Sequence, residues 1–294
     1  MTISITLAIL FAIISPLAFG LSNTFDKFII SKKVKHSLGF AMWAGISLLI
    51  FGTIIGLFLN WDSVTFKDIL PIIFSGIIWG AMYLTYYKIL EKADASNYVG
   101  LVYAYPVLMA FLSFIFLKEI LSLWAYVGVI ISILGAILLS IRIKKLHGKN
   151  IILLLILTII GAAVYEFLIK ISITNLAEWN GISLEMIFTG LTICSLLISK
   201  KVRKITISEI KNLKLALSSE FLTTIGISTT FFAMSSLSPT VVATIATIQP
   251  LSILFFERLT RIFGKIHSDK LTLIRIISIL LTIGGVVIIT IAGT

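Results

Sequence analysis

Carboxyl groups set inside long apolar runs offer the most chemistry in this sequence, which holds only 13 Asp and Glu residues in 294. Glu166 closes the stretch Gly161-Ala162-Ala163-Val164-Tyr165-Glu166, and Lys170 follows it by four residues. On a helix that spacing puts both on one face, Glu before Lys, where the pair can neutralise itself. Two readings of Glu166 stay open: a carboxyl that binds solute or exchanges its proton for a cationic ligand, and one half of a structural ion pair. Glu220, after Ser218 and Ser219, is the second candidate for proton coupling. Asp26, beside Lys27, and Glu185 stand near segment boundaries and read as interfacial.

Aromatic and polar side chains supply the remaining candidates. Trp79, Tyr83 and Tyr87 recur at steps of four and form one helical stripe, while Tyr98, Tyr103 and Tyr105 surround the next segment. Such rings can stack on flat or cationic ligands. They also gather at membrane interfaces, and Tyr87 and Tyr98, near a boundary, read as belt residues. Trp79, Tyr83, Tyr103 and Tyr105 sit deeper and are the substrate-binding candidates, at least two of them expected to line a cavity. Thr244, Thr247 and Gln249 precede Pro250, which lacks an amide hydrogen and so frees the carbonyl of Ala246. That carbonyl, Thr247, Gln249 and, from the first segment, Asn23 are expected to meet a polar solute; the other reading open is that Pro250 is a kink satisfied by Ser or Thr side chains. Gly76 and Gly80, four apart, mark a close helix contact.

The elements that must position these groups are ten apolar segments, at about 3–26, 38–59, 68–87, 95–117, 121–141, 150–174, 181–199, 215–236, 240–257 and 276–292. At ~1.5 Å per residue each is long enough to cross a hydrocarbon core of roughly 30 Å. All but three of the 24 Lys and Arg residues fall in every second gap; the exceptions are Lys67, Lys118 and Lys170. Short loops rich in Lys and Arg stay in the cytosol, so both termini are expected outside and the loop from Ile141 to Asn150 inside. The chain reads as an all-α integral membrane protein of the plasma membrane.

Several classes are excluded or disfavoured. The charge of +11 sits beside membrane segments, where anionic lipid head groups are the expected neighbours, and argues against nucleic acid. Apolar residues make up 59% and charged residues 13%, leaving no stretch for a soluble domain. Cys194 stands alone, so no disulfide framework or thiolate metal site is expected. His36, His147 and His267 lie in loops, and no phosphate-cradling Gly-Lys-Ser/Thr loop is present. An enzyme and an ATP-driven pump are therefore not expected, nor is any cofactor. A channel lacks its ring of repeated charges. The alternative kept open is a membrane-embedded scramblase or lipid-acting enzyme. The first segment has its positive charge after it rather than before it, unlike a secretory signal, and is expected to remain as a span.

Halving the chain exposes a repeat. Pro106 lies ten residues after Ser96, and Pro250 ten after Thr240; the halves close on Gly135-Ala136-Ile137-Leu138-Leu139 and Gly284-Gly285-Val286-Val287-Ile288. Five spans per copy is odd, so the second copy enters the membrane inverted. The expected repeats are 1–146 and 147–294, with a solute site near the midplane between them and access alternating by rocking.

Phe19-Gly20-Leu21-Ser22-Asn23-Thr24-Phe25 before Lys27, the run from Ser96 to Pro106, Lys118-Glu119, and Gly128 with Gly135-Ala136 together resemble the drug/metabolite transporter superfamily in its ten-helix EamA-type branch. The resemblance covers essentially the whole chain. One departure is Phe263-Gly264-Lys265, where the family places a small residue followed by Glu; Glu257 lies earlier. The resemblance implies a secondary transporter, an exporter, of a small organic metabolite, amino acid or cationic compound. Its implied partners are that solute, protons or another coupling ion, and membrane lipids, with the chain acting as a monomer. An acidic residue in the first helix of a repeat, as in the superfamily's small multidrug-resistance branch, points to Glu166.

Overall fold

The computed structural model describes residues 3–62, 64–91, 95–140, 149–262 and 273–293. Its regular elements are helices. The first half holds α1 (Ile5–Lys32), α2 (Ser37–Gly56), α3 (Phe66–Leu90), α4 (Ala95–Val102), α5 (Tyr105–Phe116) and α6 (Leu123–Ser140). The second holds α7 (Lys149–Ser172), α8 (Glu178–Cys194), α9 (Lys200–Ser208), α10 (Leu213–Ser236), α11 (Pro239–Ile245), α12 (Gln249–Ile262) and α13 (Leu273–Ala292).

Local chemistry sets several of these ends. Ser4 Oγ accepts from Leu7 N at 3.3 Å to start α1, and Asp68 Oδ2 accepts from Thr65 N at 2.9 Å to start α3, each occupying a donor the first turn leaves unpaired. Two segments expected as single spans are broken near their prolines. Pro106 sits in the first turn of α5, where a missing amide hydrogen is harmless. Pro250 follows Gln249 at the start of α12, after a 3-10 turn over Ala246–Ile248.

Eight helical stretches among the described residues are long and apolar enough to cross a membrane, and Leu123–Leu138 is a shorter apolar helix. The 24-residue α10 is not among the eight. It carries Lys214, which is exposed, together with Glu220 and a series of Ser and Thr, and it packs between α1, α2 and α8, where Ser219, Glu220, Thr223 and Thr230 are covered by protein. The outer surface is apolar, with Phe111, Leu134, Leu157 and Leu280 exposed. The interior is richer in hydroxyls, with Ser22, Ser47, Ser219, Thr223 and Thr244 buried, as expected where lipid rather than water surrounds the bundle.

Helix pairs run α1 with α10, α3 with α7, α2 with α8, α6 with α13, α1 with α12, and α5 with α7. Glycines set the closest of these. A Cβ on Gly76 lies 2.6 Å from Phe188 Cβ, and one on Gly80 lies 2.7 Å from Thr192 Cβ, so α3 meets α8 at the stripe read from the sequence. Between α6 and α13, a Cβ on Gly285 lies 2.6 Å from the Gly128 carbonyl oxygen, whereas Gly284 has nothing within 4 Å. Gly285→Ala is therefore expected to destabilise the protein by about 1–3 kcal/mol, the usual range for overpacking against a neighbour that cannot yield. Gly284→Ala is expected to be tolerated. Thermal unfolding in detergent separates them, and equal midpoints contradict the packing.

The amphipathic α9 lies on the basic end of the molecule. Trp43 Nε1 donates to Thr206 O at 2.9 Å, and Glu209 Oε1 accepts from Lys35 N at 2.9 Å and His36 N at 3.1 Å. The basic loop after α1 and the basic connector around α9 thus share one end of the bundle. Of the other basic gaps, Lys92, residues 141–148 and residues 263–272 lie outside the described residues, as do the boundary between the expected repeats and the Phe263-Gly264-Lys265 departure.

Candidate functional site

The two helix breaks meet in the bundle interior. Tyr103, in the link between α4 and α5, donates through its hydroxyl to Gln249 Oε1 at the start of α12. Beside this bridge lies a cavity of ≈ 110 Å³ bounded by α1, α3, the two broken helices, α7 and α10. Interrupted helical backbone at that depth is tolerated where protein covers it or where it lines a cavity.

Asn23, Trp79, Tyr83, Tyr103, Tyr105, Glu166 and Gln249 all lie on the cavity wall. Trp79 stacks on Tyr165 with centroids 4.4 Å apart and planes 18° apart, and Phe19 lies 6.2 Å from Trp79. Glu166 is buried, and Tyr105 OH donates to its Oε1 at 2.5 Å. Its second oxygen, Oε2, has no protein partner, nor does the indole Nε1 of Trp79.

The ion-pair reading of Glu166 is corrected by the positions of both side chains. Lys170 Nζ donates to Met234 O at 2.6 Å and Leu237 O at 3.2 Å, carbonyls at the buried end of α10. A cation is well placed at a helix C-terminus, and α7 packs so that Lys170 reaches it while Glu166 faces Tyr105. Thr247 is not on the cavity wall: in the 3-10 turn its hydroxyl donates back to Thr244 O at 2.7 Å. The Ala246 carbonyl is not freed either, because the amide of Gln249 donates to it across that turn. Proline removes the donor four residues on, and the tighter helix supplies one three residues on.

Glu220 is fully buried and off the cavity wall. Its Oε2 accepts from Tyr83 OH at 2.9 Å and its Oε1 from Tyr87 OH at 3.2 Å. Tyr87 OH also lies 3.3 Å from Asp26 Oδ2, and Ser219 Oγ donates to Asp26 Oδ1 at 2.5 Å. One phenol with a single hydrogen thus stands between two carboxyls. Tyr83 joins this cluster to the cavity. The interfacial reading of Asp26 is therefore corrected: it is 1% exposed, because α1 continues to Lys32 and α3 and α10 cover it. Tyr87, read as a belt residue, is buried against Phe40 and Tyr83. Tyr98, read likewise, is buried on the cavity wall and touches Tyr86. Glu185 is also fully buried, off the cavity, with Thr189 Oγ1 donating to its Oε1 at 3.2 Å. The hydroxyls Ser15 and Thr230, 2.7 Å apart on the wall, had no sequence signal beyond their apolar surroundings.

No curated protein matches the chain. Among solved structures, one crystal structure of a protein superposes with a TM-score of 0.69 at 15% identity, covering 99% of each chain. At that identity the likeness concerns the fold alone. Residues 6–141 match the EamA-like transporter family, and they span α1 to α6, including Asn23, the aromatic stripe of α3 and the first broken helix. Over residues 6–141 the chain is thus similar to the EamA-like transporter family, and with eight described helices long and apolar enough to cross a membrane it is a multi-pass membrane protein.

Proposed function

We propose that the protein is a secondary active transporter that exports a small organic solute across the plasma membrane by alternating access, with proton exchange at Glu166. The observation that carries this is the buried Glu166 on the wall of a central cavity, one oxygen held by Tyr105 and the other without a protein partner. A carboxyl so placed can hold either a proton or a cationic group of the solute, and that exclusivity is what couples two gradients. Glu220, with Asp26, is the second proton-carrying unit, joined to the cavity through Tyr83. Solute binding is assigned to Asn23, Trp79, Tyr83, Tyr103, Tyr105, Glu166 and Gln249.

The architecture behind this reading is ten spans in two inverted repeats, 1–146 and 147–294. The helix pairing supports it. Taking α1, α2, α3, α4–α5 and α6 as one copy and α7, α8, α10, α11–α12 and α13 as the other, first meets third in both directions, α1 with α10 and α7 with α3. First meets fourth in both directions too, α1 with α12 and α7 with α5, while second meets second and fifth meets fifth. A two-fold axis in the membrane plane produces that reciprocity, and rocking about it moves the cavity between faces.

Both termini are placed outside by the Lys and Arg distribution, in agreement with the shared basic end formed by the loop after α1 and the α9 connector. A reporter that fluoresces only in the cytosol is expected to be dark at Thr294 and bright between Lys144 and Lys149; the reverse pattern overturns the orientation. The transport reading is tested in proteoliposomes with a panel of amines, amino acids, nucleosides and polyamines under an imposed pH gradient. Accumulation of one solute that collapses with the gradient is the expected result. Flux that is linear in concentration and indifferent to solute on the far side contradicts it.

A further inference from the structure

The cavity has an unequal supply of charge. Its wall carries one carboxyl, Glu166, and among the described residues that line it there is no Lys, Arg or His. The nearest lysine along α7, Lys170, is held by the carbonyls of Met234 and Leu237. Eight of the other twenty lining residues are aromatic, including Trp79 stacked on Tyr165, Tyr103 against Tyr105, and Tyr86 against Tyr98. Ring faces carry the negative side of the aromatic quadrupole, so they attract a cation and repel a carboxylate.

Two buried polar atoms narrow the ligand further. Glu166 Oε2 is an acceptor without a protein donor, and Trp79 Nε1 is a donor without a protein acceptor. Burying such groups unmatched is unfavourable, and a ligand that brings one donor and one acceptor satisfies both. A quaternary ammonium meets the charge of Glu166 and leaves its lone pair unmatched, since it has no N–H. An amino-acid zwitterion meets Glu166 with its ammonium but places a carboxylate among ring faces with no cation to receive it.

Resting on the transporter reading above, we propose that the solute is a primary or secondary ammonium on a flat apolar body that also carries an oxygen acceptor, and that amino-acid zwitterions are rejected. The ammonium donates to Glu166 Oε2, the ring lies between the aromatic walls, and the oxygen receives the Trp79 N–H.

Three matched pairs test the class: tyramine with tyrosine, tryptamine with tryptophan, and 2-phenylethylamine with phenylalanine, with tetraethylammonium as the cation without N–H. Binding is measured by titration calorimetry on the purified full chain in detergent. Each amine is expected to bind at least about tenfold more tightly than its amino acid, tyramine more tightly than 2-phenylethylamine, and tetraethylammonium weakly. Glu166→Gln is expected to remove amine binding and Glu166→Asp to keep part of it, with thermal unfolding recorded for both. Trp79→Phe is expected to erase the advantage of tyramine over 2-phenylethylamine. Amino acids that bind as tightly as their amines, amines whose affinity ignores Glu166→Gln in folded protein, or a panel in which no amine binds overturn the proposal. If no amine binds but another solute is accumulated in proteoliposomes, the amine class falls and the transporter stands. If amines bind as expected and no solute is accumulated, the transporter reading falls and the amine site stands.

Discussion

Glu166→Gln is expected to leave the protein folded and to abolish pH-driven transport. Glutamine keeps the size of the side chain and can still accept from Tyr105, whose hydroxyl reaches Glu166 Oε1 at 2.5 Å, so packing is preserved. What is lost is the exchangeable proton. Lys170 does not depend on Glu166, since its ammonium is bonded to the carbonyls of Met234 and Leu237, and the substitution leaves no charge newly unpaired. Lys170→Met carries its own separate effect, a loss of about 1.5–3 kcal/mol of stability as charged hydrogen bonds to the end of α10 disappear. The double variant is therefore expected to show the stability of Lys170→Met and the transport defect of Glu166→Gln, added without interaction. Recovery of pH-driven transport in the double variant removes Glu166 from the mechanism.

Asp26→Asn and Glu220→Gln are expected to uncouple proton movement from solute movement while leaving solute affinity intact. Neither side chain is on the cavity wall, so binding at Glu166 persists. Both carboxyls share the hydroxyl of Tyr87, at 3.3 Å and 3.2 Å, and groups coupled this closely titrate as a unit. The double variant is accordingly expected to be no worse than either single one, and Tyr87→Phe, which cuts the link, to resemble them. Proton flux and solute flux measured together in proteoliposomes give the ratio. Solute binding lost in either single variant, or two defects that multiply, shows the pair acting otherwise.

Much of the cavity was legible because lipid makes polarity conspicuous. Glu166, Tyr103, Tyr105 and Gln249 stand out in apolar runs, and the four-residue step from Trp79 to Tyr83 gives a face directly. Asp26, Tyr87 and Tyr98 were misplaced because depth was counted from the end of an apolar run rather than from what packs over it. Helix α1 runs on to Lys32, beyond the apolar segment, and the polar helix α10 that covers Asp26 is polar because its hydroxyls and Glu220 bond inward to α1 and α3. Thr247 and the Ala246 carbonyl were misread because helical spacing was carried through a 3-10 turn, where the angular step and the bonding partner both change. The break between α4 and α5 was foreshadowed only by Pro106, and its consequence, the Tyr103 to Gln249 bridge, depends on a segment about 150 residues away that one sequence cannot bring near.

The central claim is that one cavity opens to one side at a time, and paired accessibility measures this without knowing the solute. Ala12 and Thr158 both line the cavity, Ala12 on the outer half of α1 and Thr158 on the inner half of α7 in the proposed orientation. In a Cys194→Ser background, Ala12→Cys and Thr158→Cys are each reacted with a membrane-impermeant thiol reagent, the first from outside whole cells and the second from the inner face of inverted vesicles. As pH is varied, the account predicts reciprocal rates: conditions that speed labelling at Ala12→Cys slow it at Thr158→Cys. Rates that rise and fall together contradict alternating access and indicate a continuous pore.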